Sequence, residues 1–393
     1  MKKNILIAYP EMMIGGSTTS LLSVLQLLDY EKYDVDLLLD FNQGDLVEAI
    51  PAQVNLLPHS RKANSLKQEK IKNYFRPKFI LGKLRSKIIS KKTGIPIRGE
   101  QYISWKDLWQ YRKVEKHYDA AISFLEGKQM KFVARHIDAD KKIAWIHINY
   151  TDAKLDPRYD RDTMCNFDKI VLVSKDCKKA FDDNFPELKE RTCIIENILS
   201  SNFVQSRGNE TIDLKVDKNK INLVTSCRIS FASKGLDRAV NALAKLKNEG
   251  ILQNLSWYVI GDGSDMIKFK NMIYENSLED IIFPIGSKTN PYPYLKNMSV
   301  FFLPSVWEGK PMAVTEGFMM GLPALVTEYS SAREQVRHNV DGYIMENSED
   351  GIYEGLKYIL THKDEVSNWG KNVSETEYSN IEAIRQIELM IDS

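Results

Sequence analysis

VFFLPSVWEGKPMAVTEGFMMGLPALVT occupies residues 300–327 and decides the fold class. The pattern predicts a buried strand at Val300–Leu303, a helix at Pro311–Met320 and a second strand at Ala324–Thr327. Gly321 follows the helical pattern directly, as glycine often does after the last helical residue. Continuous apolar strands that alternate with helices are typical of parallel sheets covered on both faces. The stretch therefore predicts one strand–helix–strand unit of an α/β fold.

The same alternation continues on both sides of this unit. Toward the N-terminus it predicts strands at Asn4–Tyr9, Val35–Leu39, Ala120–Phe124, Lys142–Ile146 and Lys169–Val173, and a helix at about Thr18–Leu28. Closer to the unit it predicts strands at Ile221–Ser226, Ser256–Ile260 and Ile281–Ile285, and helices at Leu236–Lys247 and Met266–Asn276. Two doubly wound units in tandem follow from this pattern, with ligands expected at the carboxyl ends of their strands.

The domain boundary is predicted from chain length and polarity. A chain of 393 residues exceeds the size at which one hydrophobic core stops growing, so two domains are expected. Asn197–Lys220 is polar and has no long apolar run, and we interpret it as the linker. The predicted domains are residues 1–200 and 201–375, two Rossmann-like units that face each other across a cleft.

Composition and cysteine usage point to an ordinary globular protein. The chain is 43% apolar and 27% charged, and its net charge of +1 indicates no special partner. The four cysteines form no CxxC pair and have no histidines at metal-ligand spacing, which is typical of free thiols in a reducing compartment. The N-terminal apolar run is too short for a signal peptide, and no run is long enough to span a membrane. We therefore expect a cytoplasmic protein.

Arg61–Arg98 is an exception to this balanced composition. It holds thirteen lysines and arginines against one acid, Glu69, and its apolar residues Leu81, Leu84 and Ile88 fall at helical spacing. A basic amphipathic helix suits an anionic lipid surface, so peripheral contact with the inner face of the cell membrane is one interpretation. A solvated helix packed on its own domain is the other. The candidate membrane patch consists of Lys83, Arg85, Lys87, Lys91 and Lys92. Nucleic acid is not expected as a partner, since nothing else in the chain favours it.

Two acidic residues flank the predicted helix start. Glu308 lies in the loop before the helix, and Glu316 lies roughly 7.5 Å along the axis from Pro311, which we expect to be the first helical residue. Unpaired N–H groups are expected at about Met312, Ala313 and Val314, where the helix dipole favours a phosphate or sugar hydroxyls. The two carboxylates suit sugar and ribose hydroxyls, which donate hydrogen bonds.

Basic groups are expected at the same edge of the sheet. Arg228 follows the strand Ile221–Ser226, and Lys234 precedes the next helix. They are suited to neutralise a leaving nucleoside diphosphate, which stabilises charge where it develops in the reaction. Taken with Glu308 and Glu316, they favour a sugar-nucleotide site over isolated surface salt bridges.

The C-terminal half resembles the retaining glycosyltransferases of family GT4, which have the GT-B fold. EGKPMAVTE matches the E-x7-E motif of that family, and CRISFASKG matches its diphosphate element. Four further stretches resemble other elements of that family: IGDGSD, PIGSKTNPYPYLKNMSVFFLPS, GGSTTSLLSVLQLL and WIHINY. The clear resemblance covers about Ile221–Met345.

The resemblance implies a reaction and a set of site residues. Glu308 would contact the donor sugar, Glu316 the ribose, and His147 would line the reacting centre from the other domain. The implied catalytic set is Glu308, His147, Arg228 and Lys234. The implied donor-binding set is Gly16, Arg228, Lys234, Gly261, Gly286, Lys288, Glu308, Gly309, Lys310, Pro311, Met312, Val314 and Glu316. Lys310 stands where the family usually has an aromatic residue, so the wall beside the sugar is expected to differ.

The implied reaction moves a hexose or N-acetylhexosamine from a nucleotide sugar, with UDP expected, to a saccharide or lipid-linked saccharide acceptor. It proceeds with retention, without a metal ion and with no cofactor besides the nucleotide sugar itself. The product would belong to a cell-surface polysaccharide or glycoconjugate. The last segment, residues 376–393, is expected to cross back to the N-terminal domain as in GT-B proteins.

Two rival functions stay open on the sequence: a non-catalytic GT-B subunit of a partner transferase, and a sugar-nucleotide epimerase. Two D-x-D triplets, Asp34–Asp36 and Asp138–Asp140, are interpreted as chance matches to a metal-binding motif. Gly261 and Gly263 lack the third glycine of a dinucleotide fingerprint, so a dehydrogenase is not expected. The identity of the sugar and of the acceptor cannot be deduced from these residues.

Overall fold

The computed structural model describes residues 2–58, 84, 87–88, 91, 101, 113–199, 201–252, 254–378, 380 and 382–393. The chain divides into two compact units. Unit 1 comprises Met1–Ile198 together with Ile381–Ser393, and unit 2 comprises Leu199–Asn380. All four cysteines are free.

Unit 1 is built on a parallel sheet. Its described strands are β1 (Lys3–Tyr9), β2 (Tyr33–Leu39), β3 (Asn55–Leu56), β4 (His117–Ser123), β5 (Asp138–Ile146), β6 (Lys169–Leu172) and β7 (Thr192–Ile194). They pair in the order β3-β2-β1-β4-β5-β6-β7, every pair parallel. Its described helices are α1 (Gly16–Leu27), α2 (Lys128–His136), α3 (Pro157–Met164) and α4 (Lys175–Asn184), and 3-10 turns occur at Val47–Ala49 and Pro186–Arg191.

Unit 2 repeats this architecture. After helix α5 (Ser201–Arg207) its strands are β8 (Ile221–Ser226), β9 (Leu255–Ile260), β10 (Ile282–Gly286), β11 (Val300–Leu303), β12 (Ala324–Thr327) and β13 (Gly342–Met345). They pair in the order β10-β9-β8-β11-β12-β13, again all parallel. Helices α6 (Phe231–Lys234), α7 (Leu236–Asn248), α8 (Met266–Glu275), α9 (Tyr292–Leu295), α10 (Met312–Met319), α11 (Ala332–Gln335), α12 (Glu349–Thr361) and α13 (Lys363–Ser374) connect and cover the strands. The final helix, α14 (Ala383–Asp392), belongs to unit 1.

The strands of unit 2 are apolar on both faces, which is why they read as continuous apolar runs. Phe302 belongs to one buried apolar cluster and its neighbour Phe301 to another. Leu223 and Val224 of β8 divide between the two clusters in the same way. Helices therefore cover both faces of this sheet, and the predicted α/β class is confirmed.

The boundary between the two units falls inside the predicted linker, Asn197–Lys220, but part of that stretch is structured and packed. Its Ser201–Arg207 section forms α5, and Leu199 and Val204 are fully buried in an apolar cluster of unit 2. Leu214 and Val216 pack against the same cluster. The apolar residues of this stretch are few and widely spaced, so the sequence pattern did not indicate that they pack against unit 2.

Within the part of the chain that the structure describes, no helix combines the length and the apolar character that crossing a membrane requires.

Candidate functional site

The strand order of unit 2 places two predicted site loops side by side. Reading from one edge, the third, second and first strands of the unit precede the fourth, fifth and sixth, which is the Rossmann order. The order reverses between β8 and β11, which pair directly. Open α/β sheets bind ligands beyond the carboxyl ends of the strands at this point. Arg228 follows β8 and Glu308 follows β11, so both lie at this edge.

The loop that carries Glu308 is fixed by hydrogen bonds on several sides. The Val306 N–H donates to the Ser233 carbonyl at 2.8 Å, and Arg238 Nη2 donates to the Pro304 carbonyl at 2.8 Å. Asn347 Nδ2 donates to the Val306 carbonyl, also at 2.8 Å. Three hydrogen bonds to neighbouring elements therefore hold the loop between β11 and α10.

The Glu308 carboxylate is buried and held through one of its oxygens. Oε1 accepts from Lys234 Nζ at 2.5 Å and from the buried Ser305 hydroxyl at 2.6 Å. Oε2 accepts no hydrogen bond from the residues that the structure describes. The structure thus brings the predicted Lys234 and Glu308 together, and it leaves one carboxylate oxygen for a hydroxyl donor.

Helix α10 begins one residue later than predicted. Pro311 is the residue before the helix, with an extended backbone, and Met312 is the first helical residue. The expectation of a free N–H at Val314 is wrong, because this group donates to the Pro311 carbonyl at 3.2 Å. Among the described residues, no acceptor pairs with the N–H groups of Met312 and Ala313. The helix start therefore offers two donors near its positive dipole end.

Glu316 does not join Glu308 in the ion pair. It is 6% exposed, and its Oε1 accepts a hydrogen bond from the buried Tyr292 hydroxyl at 3.0 Å. Burial raises the pKa of Glu316 to about 7, and the Tyr292 hydrogen bond counteracts part of this shift. The Glu316 carboxyl group therefore changes between its charged and uncharged forms near pH 7.

The glycine turn after β9 packs against the loop that carries Arg228. Gly261 has a φ of +138°, and a β-carbon there would lie 1.9 Å from the Cys227 carbonyl oxygen. A β-carbon on Gly263 would lie 2.2 Å from the Ile229 carbonyl oxygen. Close backbone approach thus accounts for both glycines. Arg228 itself is exposed and pairs with no carboxylate of the described residues.

The other predicted donor-side residues take varied positions in unit 2. Gly286 ends β10 with a φ of +73° and open space where a β-carbon would stand. Lys288 Nζ lies 5.1 Å from the ring centre of Tyr294, at cation–π distance. Gly309 is buried and Lys310 is half-buried, both in the loop before α10.

His147 lies just beyond β5 at the same kind of edge in unit 1. Its Nε2 lies 3.0 Å from the Phe124 carbonyl oxygen, which can only accept, so Nε2 carries the proton. Burial lowers the pKa of His147 to about 4, against the opposing hydrogen bonds of Phe124 and Asn197. The backbone N–H of His147 donates to Glu126 Oε2 at 3.0 Å. The imidazole is therefore neutral and fixed in orientation at pH 7.

The remaining predicted sites of unit 1 are more exposed or lie outside the described residues. Gly16 is exposed at the first position of α1. Of the candidate membrane patch, Lys87 and Lys91 are helical and exposed, whereas Lys83, Arg85 and Lys92 lie outside the described residues. In the D-x-D triplets, Asp36 accepts from Tyr118 and Lys116, while Asp138 and Asp140 both contact His117. No described group of three or more histidines, cysteines or carboxylates has an arrangement suited to a metal ion.

Residues 207–376 match the model of the family described as glycosyl transferases group 1. The match covers unit 2 almost from end to end. An uncharacterized glycosyltransferase of Methanocaldococcus jannaschii is 21% identical over 57% of this chain and 57% of its own. A Campylobacter jejuni protein is 26% identical over 53% of this chain and 56% of its own. Its name is N-acetylgalactosamine-N,N'-diacetylbacillosaminyl-diphospho-undecaprenol 4-alpha-N-acetylgalactosaminyltransferase. The chain spans about half the length of the curated relatives it matches.

Solved structures confirm the predicted GT-B fold. Anabaena HepE, crystallised with UDP-glucose, superposes with a TM-score of 0.70 over 99% of both chains at 15% identity. S. aureus TarM superposes with a TM-score of 0.67 over 100% of this chain and 99% of its own, at 12% identity. Likeness at such identities shows the fold alone. Membership of family GT4 stays a prediction.

Three residues that touch predicted site residues were not anticipated. Ser305 holds Glu308, Tyr292 holds Glu316, and Glu126 holds the backbone of His147. Ser305 lies only three positions before Glu308, at the strand end, and this spacing was the available signal. Tyr292 and Glu126 are 24 and 21 residues from their partners, so no local pattern indicated them.

Proposed function

We propose that this chain is a retaining, metal-independent glycosyltransferase that moves a hexose or N-acetylhexosamine from a UDP-sugar to a saccharide acceptor. The observation that carries the proposal is the buried Glu308 carboxylate, fixed by Lys234 and Ser305 directly before the start of α10. Its Oε2 is an acceptor for a sugar hydroxyl, and Met312 and Ala313 supply N–H donors at the helix start. These groups lie in the segment that follows β11, at the edge where a Rossmann sheet binds nucleotides.

The charges of the site suit the departure of a nucleoside diphosphate. In the proposed reaction the bond between the anomeric carbon and the diphosphate oxygen breaks, and the acceptor oxygen bonds to that carbon on the same face. The acceptor proton passes to the leaving diphosphate. Arg228 is an exposed cation without a carboxylate partner among the described residues, and it stabilises the charge on the leaving group. Lys234 adds a second cation, already ordered by Glu308.

The relatives support a polysaccharide or glycoconjugate pathway for the proposed reaction. HepE was solved with UDP-glucose, and the name of the Campylobacter jejuni relative specifies a diphospho-undecaprenol acceptor. We infer a UDP-sugar donor and a lipid-linked saccharide acceptor for this chain as well. The inner face of the cell membrane is then the place of the reaction.

Peripheral contact with that membrane is supported by four described residues of the basic segment. Leu84, Lys87, Ile88 and Lys91 are helical and exposed, and their spacing in the sequence is that of one helix face. Charge reversal across Lys83–Lys92 is expected to reduce sedimentation of the protein with anionic vesicles, because each basic residue contributes roughly 1 kcal/mol near such a surface. Equal sedimentation of wild type and variant would contradict membrane contact through this segment.

The activity is tested with a panel of sugar nucleotides, with and without lipid-linked saccharide, and the products are identified by mass spectrometry. Wild type is expected to consume one donor equally well with and without a chelator. Glu308→Gln is expected to reduce turnover by roughly 10²- to 10³-fold. Glu354→Gln, which changes an exposed carboxylate on α12, is the matched control and should keep wild-type turnover.

Two results would contradict the proposal. Absence of turnover with every donor, together with unchanged donor binding in Glu308→Gln, would favour a non-catalytic subunit of another transferase. Conversion of the donor into an isomeric sugar nucleotide without any acceptor would identify an epimerase instead.

A further inference from the structure

Glu316 and Tyr292 form a buried pair inside unit 2. The Tyr292 hydroxyl donates to Glu316 Oε1 at 3.0 Å, and the two residues are 3% and 6% exposed. Tyr292 begins the short helix α9, while Glu316 lies in the middle of α10. Glu316 Oε2 accepts no hydrogen bond from the described residues. One carboxylate oxygen is therefore fixed by the tyrosine, and the other is left for a donor.

This arrangement is costly for a purely structural pair. A buried carboxylate destabilises a fold unless it is well compensated, and replacement by an apolar residue is often neutral or stabilising. Here the compensation is a single neutral hydroxyl, since no charged side chain of the described residues bonds to Glu316. A carboxylate retained under these conditions is a candidate for contact with a ligand.

We propose that Tyr292 is a positioning residue that orients Glu316 toward the ribose of the donor nucleotide and thereby sets the preference for ribose over deoxyribose. The inference rests on the proposed function and on the ribose contact that the resemblance to family GT4 implies for Glu316. The hydroxyl of Tyr292 fixes Oε1, so Oε2 is directed to the ligand. By donating to the carboxylate, Tyr292 also favours its charged form, which accepts hydrogen bonds more strongly than the neutral acid.

The test compares dissociation constants for UDP and 2′-deoxyuridine diphosphate by calorimetry, in wild type and in Tyr292→Phe. Wild type is expected to prefer the ribose form about tenfold at pH 8, since a hydrogen bond to a charged group contributes at this level. Tyr292→Phe is expected to lose most of this preference while it still binds the diphosphate. The two nucleotides carry the same diphosphate, so its own titration cancels in the ratio.

The matched control is Tyr294→Phe, two positions along the same segment. Tyr294 is half-buried, and no hydrogen bond of its hydroxyl is seen among the described residues. Its ring, over which Lys288 lies, is retained in the variant. Tyr294→Phe should therefore keep the wild-type preference for ribose.

The pH dependence of the same ratio separates positioning from packing. In wild type the preference should decline as pH falls through about 7, because Glu316 becomes protonated there. Without the Tyr292 hydroxyl the pKa of Glu316 rises, so the decline should occur at higher pH. Glu316→Gln should abolish the preference at every pH, and adding Tyr292→Phe to it should cause no further loss.

Each other outcome has a distinct meaning. Equal loss of affinity for both nucleotides in Tyr292→Phe, or an unchanged ratio, would overturn the positioning role. A wild type that binds UDP without preferring ribose would overturn the contact between Glu316 and ribose. A wild type that binds no nucleoside diphosphate from a panel of bases would contradict the proposed function itself.

Discussion

Lys234 Nζ lies 2.5 Å from Glu308 Oε1, although 74 residues separate the two in the chain. Lys234 ends α6, which follows β8, and Glu308 lies in the loop after β11. The two strands are neighbours in the sheet because the strand order reverses there. The side chains of Lys234 and Glu308 are 20% and 11% exposed. The ion pair thus links the architecture of the sheet to the charge of the candidate site, and we expect its loss to reduce both stability and turnover.

Removal of Lys234 from this ion pair should lower the free energy of unfolding. Lys234→Met leaves the Glu308 carboxylate buried without its cation, so the free energy of unfolding at pH 7 should fall by roughly 2 kcal/mol. The double variant Lys234→Met/Glu308→Gln removes the unpaired charge and should recover most of that loss without recovering turnover. Urea unfolding and the transferase assay measure the two effects. Equal stability of the single and double variants would show that the unpaired Glu308 carboxylate does not destabilise the fold.

Glu316→Gln should change how stability depends on pH. The pKa of Glu316 is about 7 in the folded protein, above the ordinary value of 4.5. A raised carboxyl pKa means that stability is fully present below about pH 4.5 and declines as pH rises through 7. Glu316→Gln lacks this decline, so it should be more stable than wild type at pH 8 by on the order of 3 kcal/mol.

Urea midpoints from pH 5 to pH 8 measure the effect. Glu354→Gln, on the exposed side of α12, provides the control for removal of a carboxylate. If the difference between wild type and Glu316→Gln is the same at every pH, Glu316 does not titrate in this range.

The sequence predicted the fold well because the relevant information is local. Continuous apolar runs identify strands buried on both faces, and the bounds predicted for β8, β11 and β12 agree with the structure. The placement of Lys234 and Glu308 at one edge of the sheet followed from the same pattern, because the segments after parallel strands share that edge, but their ion pair was not predicted. Contacts that depend on exact packing did not follow. The depth at which Glu316 is buried and its bond to Tyr292 depend on how α9 meets α10, and no spacing in the sequence encodes that distance.

The predicted linker contains a helix and buried residues that the sequence pattern did not indicate. Few apolar residues in Asn197–Lys220 indicated an exposed connection, yet Leu199 and Val204 are fully buried. A short helix needs only one or two apolar side chains to dock when a large apolar cluster already exists. Average polarity over twenty residues does not detect such isolated anchors.

Gly261 and Gly286 should respond differently to alanine. Both have positive φ, of +138° and +73°, so each substitution carries a conformational cost of about 1–2 kcal/mol. Only at Gly261 would the added β-carbon also collide with backbone, 1.9 Å from the Cys227 carbonyl oxygen. Gly261→Ala should therefore displace the Arg228 loop and weaken UDP binding, whereas Gly286→Ala should mainly lower stability. Unfolding and UDP titration of both variants check this, and equal effects on UDP binding would contradict it.

His147 and His117 should make opposite contributions to the pH dependence of stability. Burial lowers the pKa of His147 from 6.5 to about 4, so its contribution is fully present above pH 6.5 and is lost as pH falls through 4. Hydrogen bonds to Asp138 and Asp140 raise the pKa of His117, so its contribution is present below pH 6.5 and is lost as pH rises through the folded value. His147→Gln should therefore reduce the loss of stability in acid, and His117→Gln should reduce the loss toward neutral pH. Urea midpoints between pH 4 and pH 8 distinguish the two, because groups common to all three proteins cancel in the differences. A His147→Gln profile parallel to wild type would show that burial does not keep the imidazole neutral. The assignment of the Nε2 proton in its hydrogen bond to the Phe124 carbonyl would then lose its support.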